Sequence, residues 1–241
     1  MWRGKKNRNY AKGLPWFRDW YRFQKSNFPA EKGLKLLEVG CAGSRWLPIY
    51  VRDFDYSVVG VDYDPNGCVL AADILSYYGL HGEVICEDFF DFALKNKSSF
   101  DLIVSFGVVE HFAGVEFVQL IFSCLKEGGK VFAEVPNFQG LQGIASLLME
   151  DWKSTHIQFT PESLVELFAN AGFINIKLEY AGGLGLPIHK PIGWRKFLLP
   201  IHLIIWAWIA FAYLLSSIFN WSTRGKGSAS SIMLVAQKPI R

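Results

Sequence analysis

Five short apolar runs, Lys35–Val39, Ser57–Val61, Glu83–Cys86, Asp101–Ser105 and Lys130–Val135, alternate with helical patterns near Arg45–Arg52, Pro65–Tyr78 and Val115–Lys126. Strands this short, and apolar on both faces, need helices above and below them, which a parallel sheet provides. Gly128-Gly129 reads as the stop after the third helix. Thr160-Pro161-Glu162 opens a further helix, with Thr160 as N-cap and Pro161 at the first helical position, ending at Ala171-Gly172. Phe173–Tyr180 and Ser231–Ala236 then read as strands. The pattern predicts an α/β fold with a doubly wound, open sheet.

In such a sheet ligands sit beyond the carboxyl ends of the strands. The first strand runs into "LLEVGCAGSRW", where Gly40, Ala42, Gly43 and Ser44 form a small-residue turn. A dinucleotide loop would carry a third glycine, so that a pyrophosphate could rest on the following helix. None follows at that spacing, and Glu38 stands two residues before Gly40. An acid there is unfavourable for phosphate and favourable for an ammonium, so the turn suits a cationic ligand. Asp62 ends the second strand in "VVGVDYD", placed to accept ribose hydroxyls. Asp88 ends the third in "VICEDFF", placed to accept from an adenine amino group.

As an ordered set, "LLEVGCAGS", "VVGVDYDP", "CEDFFDF", "FDLIVSFGVVEHF", "LKEGGKVFAEVPN" and "FTPESLVELFANAGF" resemble the motifs of class I S-adenosylmethionine-dependent methyltransferases. They are similar in particular to the small-molecule O-methyltransferases of ubiquinone biosynthesis. The resemblance covers about residues 34–180 and the last strand. It implies a seven-stranded, mostly parallel, Rossmann-like sheet whose last strand is antiparallel to the others. It also implies S-adenosyl-L-methionine as cofactor, with its methionine part on Gly40, Cys41, Ala42 and Gly43 and with Glu38 as an indirect organiser. Ribose falls to Asp62, adenine to Tyr63, Asp88 and Phe89, and the sulfonium to Phe106, Gly107 and Val108. The family pattern favours glycine where Ala42 and Ser44 stand. Ala42 is small enough for close approach at negative φ, and the Ser44 hydroxyl either caps the following helix or meets the cofactor.

Methyl transfer from a sulfonium is an in-line displacement, in which positioning carries much of the barrier and a base assists a hydroxyl acceptor. Two histidines are candidates. His111 follows the fourth strand in "VVEHF", and His156, in "KSTHIQFT", precedes the helix that borders the substrate pocket in this family. Imidazole titrates near neutrality, as abstraction of a phenolic proton requires. The structural alternative has His111 capping a helix and His156 ordering a loop. Some relatives hold a divalent ion in a Glu-x-x-Glu-His-like cluster; Glu110 and His111 are present here, but no second carboxylate is near in sequence, so no metal is expected. His81, His189 and His202 have no comparable context.

The 241 residues suffice for one α/β domain with additions. Residues 1–32 carry a net charge of +7 with interleaved aromatics, against −4 for the remainder. This basic segment is either an arm for an anionic surface or a helix capping the core. Trp16 with Trp20, and Phe17 with Tyr21, lie one helical turn apart. The methyltransferase domain is expected over 33–180 and 228–241. Between them, 181–227 begins as a Gly/Pro-rich loop and continues as Phe197–Trp221, 25 residues without a formal charge. That insertion is long enough to enter a bilayer, but the last strand must return to the sheet. A monotopic attachment on the cytoplasmic face of a membrane follows, supported by the flanking Lys190, Arg195, Lys196, Arg224 and Lys226; a lid or a homodimer interface is the alternative. The acceptor expected is then small or lipid-linked: a quinone precursor, a polyprenyl-linked sugar or a glycolipid. The four cysteines contain no Cys-x-x-Cys pair and read as buried hydrophobes in a reducing compartment. Competing readings are a non-catalytic binding protein of the same fold and an NAD-dependent oxidoreductase, the latter disfavoured by the missing glycine. No nucleic-acid partner is expected, because "SFGVVEH" replaces a base-reading motif after the fourth strand.

Overall fold

The computed structural model describes residues 15–140, 155–182 and 225–240, with positions 200, 203, 204, 207, 208 and 211 between them. The elements run α1 (Pro15–Asn27), β1 (Lys35–Val39), α2 (Leu47–Phe54), β2 (Ser57–Asp62), α3 (Pro65–Tyr77), β3 (Glu83–Cys86), α4 (Phe89–Lys95), β4 (Phe100–Phe106), a 3-10 turn (Val109–His111), α5 (Glu116–Cys124), β5 (Leu125–Pro136), α6 (Pro161–Asn170), β6 (Ile174–Ala181) and β7 (Ser231–Gln237). The strands form one sheet in the order β3-β2-β1-β4-β5-β7-β6. Only β7 runs against its neighbours β5 and β6. This is the mostly parallel seven-stranded α/β sheet expected, with its switch point between β1 and β4.

Both faces of the sheet are covered. One core gathers Leu37, Val39, Ile103, Val131 and Ala133 with Phe89, Phe92, Phe117 and Phe168 from α4, α5 and α6. The other gathers Leu36, Val58, Leu102, Val104 and Phe132 with Phe23, Leu47, Tyr50 and Leu75 from α1, α2 and α3. Each large side chain removed from water contributes roughly 1.5–3 kcal/mol, which explains why strands of four to seven residues hold without polar alternation.

Helix α1 is part of the second core. Phe23 is buried edge-on against Phe132, Phe17 stacks on Trp46 at 4.0 Å, and Trp20 meets Trp46 at 6.2 Å and Phe106 at 5.8 Å. Arg18, Arg22 and Lys25 point outward, and Arg22 lies 3.7 Å from Glu179. Of the two readings of the basic segment, residues 15–27 follow the core-capping one, while residues 1–14 and the Trp16 side chain lie outside the described residues.

Three details differ from the sequence pattern. Helix α5 ends at Cys124, and Gly128-Gly129 lies inside β5 rather than stopping a helix. There a Cβ on Gly129 would stand 2.9 Å from the Lys126 carbonyl oxygen and 3.0 Å from that of Asp101, so the pair admits close strand contact at a register shift. Helix α4 was not legible in the periodicity; at seven residues it is announced only by its N-cap, Asp88. Cys86 is exposed, unlike Cys41, Cys68 and Cys124.

Most of the Phe197–Trp221 insertion, with His189 and His202, lies outside the described residues. Positions 200, 203, 204, 207, 208 and 211 are helical and exposed, among them Leu203, Ile204, Trp208 and Phe211, each more than half exposed. Among the described residues, no helix is long and apolar enough to cross a membrane.

Candidate active site

The turn after β1 is built by steric pairs of small and larger residues. Gly40 has φ +81°, and a Cβ there would stand 2.4 Å from Val108 Cγ2, so the turn lies hard against the segment after β4. Gly43 also has positive φ (+60°), and its N–H donates to the Gly67 carbonyl oxygen of α3 at 3.0 Å. Ala42 has no positive φ, and its methyl fills the space left by Gly67: a Cβ on Gly67 would be 2.4 Å from Ala42 Cβ. The glycine missing from the turn stands in the facing helix instead.

The Ser44 hydroxyl donates to Glu38, 2.8 Å from both carboxyl oxygens, and accepts from the Trp46 N–H at 3.0 Å and the Leu47 N–H at 3.3 Å. It therefore caps the start of α2 and holds the acid beneath the turn. Burial pushes the Glu38 carboxyl up to about 8; the Ser44 hydrogen bond opposes this shift and the charge of Asp62 adds to it. A largely neutral Glu38 is cheap to bury, and its ionisation is available to an incoming ammonium.

Asp62 links the turn to β2. Its Oδ2 accepts from the Ala42 N–H and its Oδ1 from the Asp64 N–H, both at 2.9 Å. Each oxygen keeps a lone pair for a further donor such as a ribose hydroxyl. Tyr63, next along, is 79% exposed, a free face for a base ring. Asp88 is exposed, and its Oδ1 caps α4 through the Phe90 N–H at 2.7 Å. The ring of Phe89 is buried against Phe117, so the exposed ring beside Asp88 is that of Phe90. Cys41 is buried over Gly60, where a Cβ would stand 2.7 Å from its sulfur; it packs the turn onto β2.

Across the switch point, Phe106, Gly107 and Val108 are partly buried, with Gly107 at φ +68°. Behind them are two buried acids, Glu110 and Glu134. Burial pushes Glu110 up to about 8, with the charge of Glu134 adding to the shift. Burial likewise raises Glu134 to about 7, opposed by hydrogen bonds from Ser231 and Gly107. His111 and His156 meet at 4.4 Å between ring centroids. His111 Nδ1 lies 3.0 Å from the Thr155 carbonyl oxygen, and His156 Nδ1 lies 2.7 Å from Thr155 Oγ1. The Ile157 N–H donates to the Glu110 carbonyl oxygen at 2.7 Å, which ties the two segments together.

The fold thus brings Glu38, Gly40–Gly43 and Asp62 together around the turn, sets Val108 against it, and joins His111 to His156. Glu134 went unremarked in the sequence. Its signal is the register, since Glu134 pairs with Phe106 on the neighbouring strand, and register cannot be read from spacing within one segment.

Such a sheet, with an antiparallel β7 and a glycine turn beside the switch point, defines a doubly wound α/β fold, a class in which ligands bind beyond the carboxyl ends of the strands at the switch point. A family profile described as a methyltransferase domain matches residues 15–178, and the chain belongs to that family. Solved structures share the fold. A SAM-dependent methyltransferase from Archaeoglobus fulgidus is 16% identical, with 90% of this chain and 92% of that one covered and a TM-score of 0.60. A putative sarcosine dimethylglycine methyltransferase from Galdieria sulphuraria is 13% identical, covering 91% and 83%, at 0.63. The phosphoethanolamine N-methyltransferase 2 of Haemonchus contortus, in complex with S-adenosyl-L-methionine, is 18% identical, covering 94% of this chain and 54% of that one, at 0.61. No curated protein matches the sequence.

Proposed function

We propose that the chain is an S-adenosylmethionine-dependent O-methyltransferase acting on a small or lipid-linked acceptor at a membrane surface. The observation that carries the donor side is the cradle itself. Gly40 is too close to Val108 to bear a side chain, Glu38 and Asp62 are hydrogen-bonded to the turn, and Asp88 stands exposed at the end of β3, beyond β2. Three acids without a phosphate loop fit a ligand that carries an ammonium, a ribose and an adenine. S-adenosylmethionine supplies, when bound, an electrophilic methyl on its sulfonium. Glu38 organises the turn under the ammonium, Asp62 receives the ribose hydroxyls, Tyr63 lies along the adenine, and Asp88 with the Phe89 backbone meets its edge. Phe106, Gly107 and Val108 flank the sulfonium.

On the acceptor side, His156 and His111 take part directly, one imidazole accepting the hydroxyl proton as the oxygen attacks. The exposed apolar positions Leu203, Ile204, Trp208 and Phe211 recur at helical spacing and support contact with lipid, beside the basic flanks of the insertion. A quinone precursor, a polyprenyl-linked sugar or a glycolipid fits that placement on the cytoplasmic face.

Calorimetry with S-adenosylhomocysteine tests the donor side: saturable binding lost in Asp62→Ala is expected, and absence of heat in the parent protein refutes it. Liposome flotation of the intact chain against one lacking 197–221 tests the membrane contact. Equal flotation of a folded deletion variant refutes that part alone. The acceptor is sought as a lipid or glycan that gains one methyl group only when enzyme is present.

A further inference from the structure

Glu110, His111 and His156 each present one donor atom to a common space, and these atoms lie within 4.8 Å of one another. They come from two segments, the 3-10 turn after β4 and the approach to α6, fastened by the Ile157-to-Glu110 and His111-to-Thr155 contacts. Glu110 is only 2% exposed, and its Oε2 has no hydrogen-bond partner among the described residues. A buried carboxylate oxygen without a donor is costly, and a cation at that oxygen removes the cost. His111 supplies a second indication. The Thr155 carbonyl oxygen can only accept, so the neutral ring carries its proton on Nδ1 and keeps its lone pair on Nε2. A backbone carbonyl orienting a histidine in this way is a common second layer around a metal ion.

We propose that Glu110, His111 and His156 bind one divalent first-row transition ion. Two imidazoles and one carboxylate suit zinc, cobalt, nickel or iron, whereas magnesium and calcium prefer oxygen-only ligands. Three protein ligands leave coordination positions open, as catalytic sites require. With bonds of about 2.0–2.1 Å the ligand atoms must draw to within roughly 3.3 Å of one another. Exposed His111 and half-buried His156 would close that gap by tilting about their Thr155 contacts. The relatives' Glu-x-x-Glu-His pattern is not reproduced, since Gly107 stands where its first acid would be; here the third ligand comes from a distant segment.

The role of the ion rests on the reading of this crevice as the acceptor side. An acceptor hydroxyl held at an open position would lose its proton to solvent at lower pH. Its oxygen then bonds to the methyl carbon while the carbon–sulfur bond breaks and the electron pair stays on sulfur. In the loaded protein the ion replaces a free imidazole as the activating group.

The test is titration of Co²⁺ into the untagged full chain, read by visible absorption and calorimetry, with Zn²⁺ as competitor. One ion per chain is expected, with affinity at least about tenfold weaker in Glu110→Gln and in His156→Ala and unchanged in His81→Ala. Circular dichroism and S-adenosylhomocysteine binding, measured on each variant, certify the fold. Since His156 is only half buried, its variant stays informative even where Glu110→Gln fails to fold. No saturable Co²⁺ binding, or equal binding by both folded variants, overturns the proposal. Loss of S-adenosylhomocysteine binding by the parent chain with Co²⁺ binding intact would instead overturn the methyl-transfer reading.

Discussion

Replacing Gly67 by alanine should loosen the donor cradle from outside it. The new Cβ would stand 2.4 Å from Ala42 Cβ, 2.9 Å from Ala42 Cα and 3.0 Å from Asp64 Oδ2. Carbon atoms in contact rest about 3.5–4.0 Å apart, so turn and helix must part by more than an ångström, and a clash with Cα cannot be relieved by a rotamer. Parting strains the Gly43-to-Gly67 hydrogen bond and the Ala42-to-Asp62 bond that positions the ribose acid. Overpacking costs about 1–3 kcal/mol, and alanine in a helix returns up to about 1 kcal/mol. A net loss of about 1–2 kcal/mol follows, or about 2–8 °C in Tm for a chain of this size. S-adenosylhomocysteine affinity should fall with it. The decisive variant is the exchange Ala42→Gly with Gly67→Ala, which puts the methyl on the helix and the glycine in the turn. It removes the 2.4 Å contact but keeps the new Cβ 2.9 Å from the Cα of residue 42, so it should recover only part of the loss, a coupling of about 0.5–1 kcal/mol in a double-mutant cycle. Thermal unfolding and calorimetry measure both. A single variant as stable and as tight-binding as the parent, or a double variant no better than the single, refutes the reasoning.

Glu38→Gln should fold normally near pH 6, because a carboxyl pushed up to about 8 is already neutral there. The folded value lies above the ordinary carboxyl value. The stability contribution of neutral Glu38 is therefore complete below pH 4.5 and lost as pH rises through 8, whereas Glu38→Gln keeps it; denaturation midpoints across that window measure the difference. Near neutral pH the raised Glu38 carboxyl is mainly protonated, so an ammonium that draws it to the carboxylate should release a proton, seen as a binding enthalpy that changes with buffer, and Glu38→Gln should abolish this dependence. Ser44→Ala removes the acceptor for the Trp46 and Leu47 N–H groups at the start of α2 and the donor to Glu38, and should cost about 1–2 kcal/mol by chemical denaturation. Gly40→Ala meets both a φ of +81° and the Val108 methyl; it should lose S-adenosylhomocysteine binding in calorimetry while keeping its helical circular dichroism.

The strands and the acids at their ends were legible because each is a local pattern: an apolar run, then Glu38, Asp62 or Asp88 at a fixed offset. The Thr160 cap of α6 was legible for the same reason, and the structure adds its reciprocal bonds with Ser163. The role of Ser44 was not, since its hydroxyl serves an acid six residues back and two amides ahead, a choice that only the turn geometry makes. The acceptor side was less legible still. Glu134 reaches Glu110 through strand register, and His156 reaches His111 across 45 positions through contacts of Thr155 and Ile157. No spacing rule within a segment carries such information. Gly128-Gly129 misled because a glycine pair has the same signature whether it ends a helix or lets two strands approach.

The same distinction explains the unusual turn. A family pattern written position by position registers Ala42 as a departure, yet the packing it serves is a relation between two elements. Gly60 leaves room for Cys41, Gly67 for Ala42, and Gly40 for Val108. Each pair needs one small member, and at the Gly67–Ala42 contact the helix side is the more constrained, because a Cβ there would also stand 2.9 Å from the Ala42 Cα. Gly40 and Gly43 are held to glycine by backbone conformation as well as by space, whereas Ala42 is constrained by space alone. The turn can therefore differ from its relatives at position 42 while presenting the same backbone to a ligand, provided the facing helix changes with it.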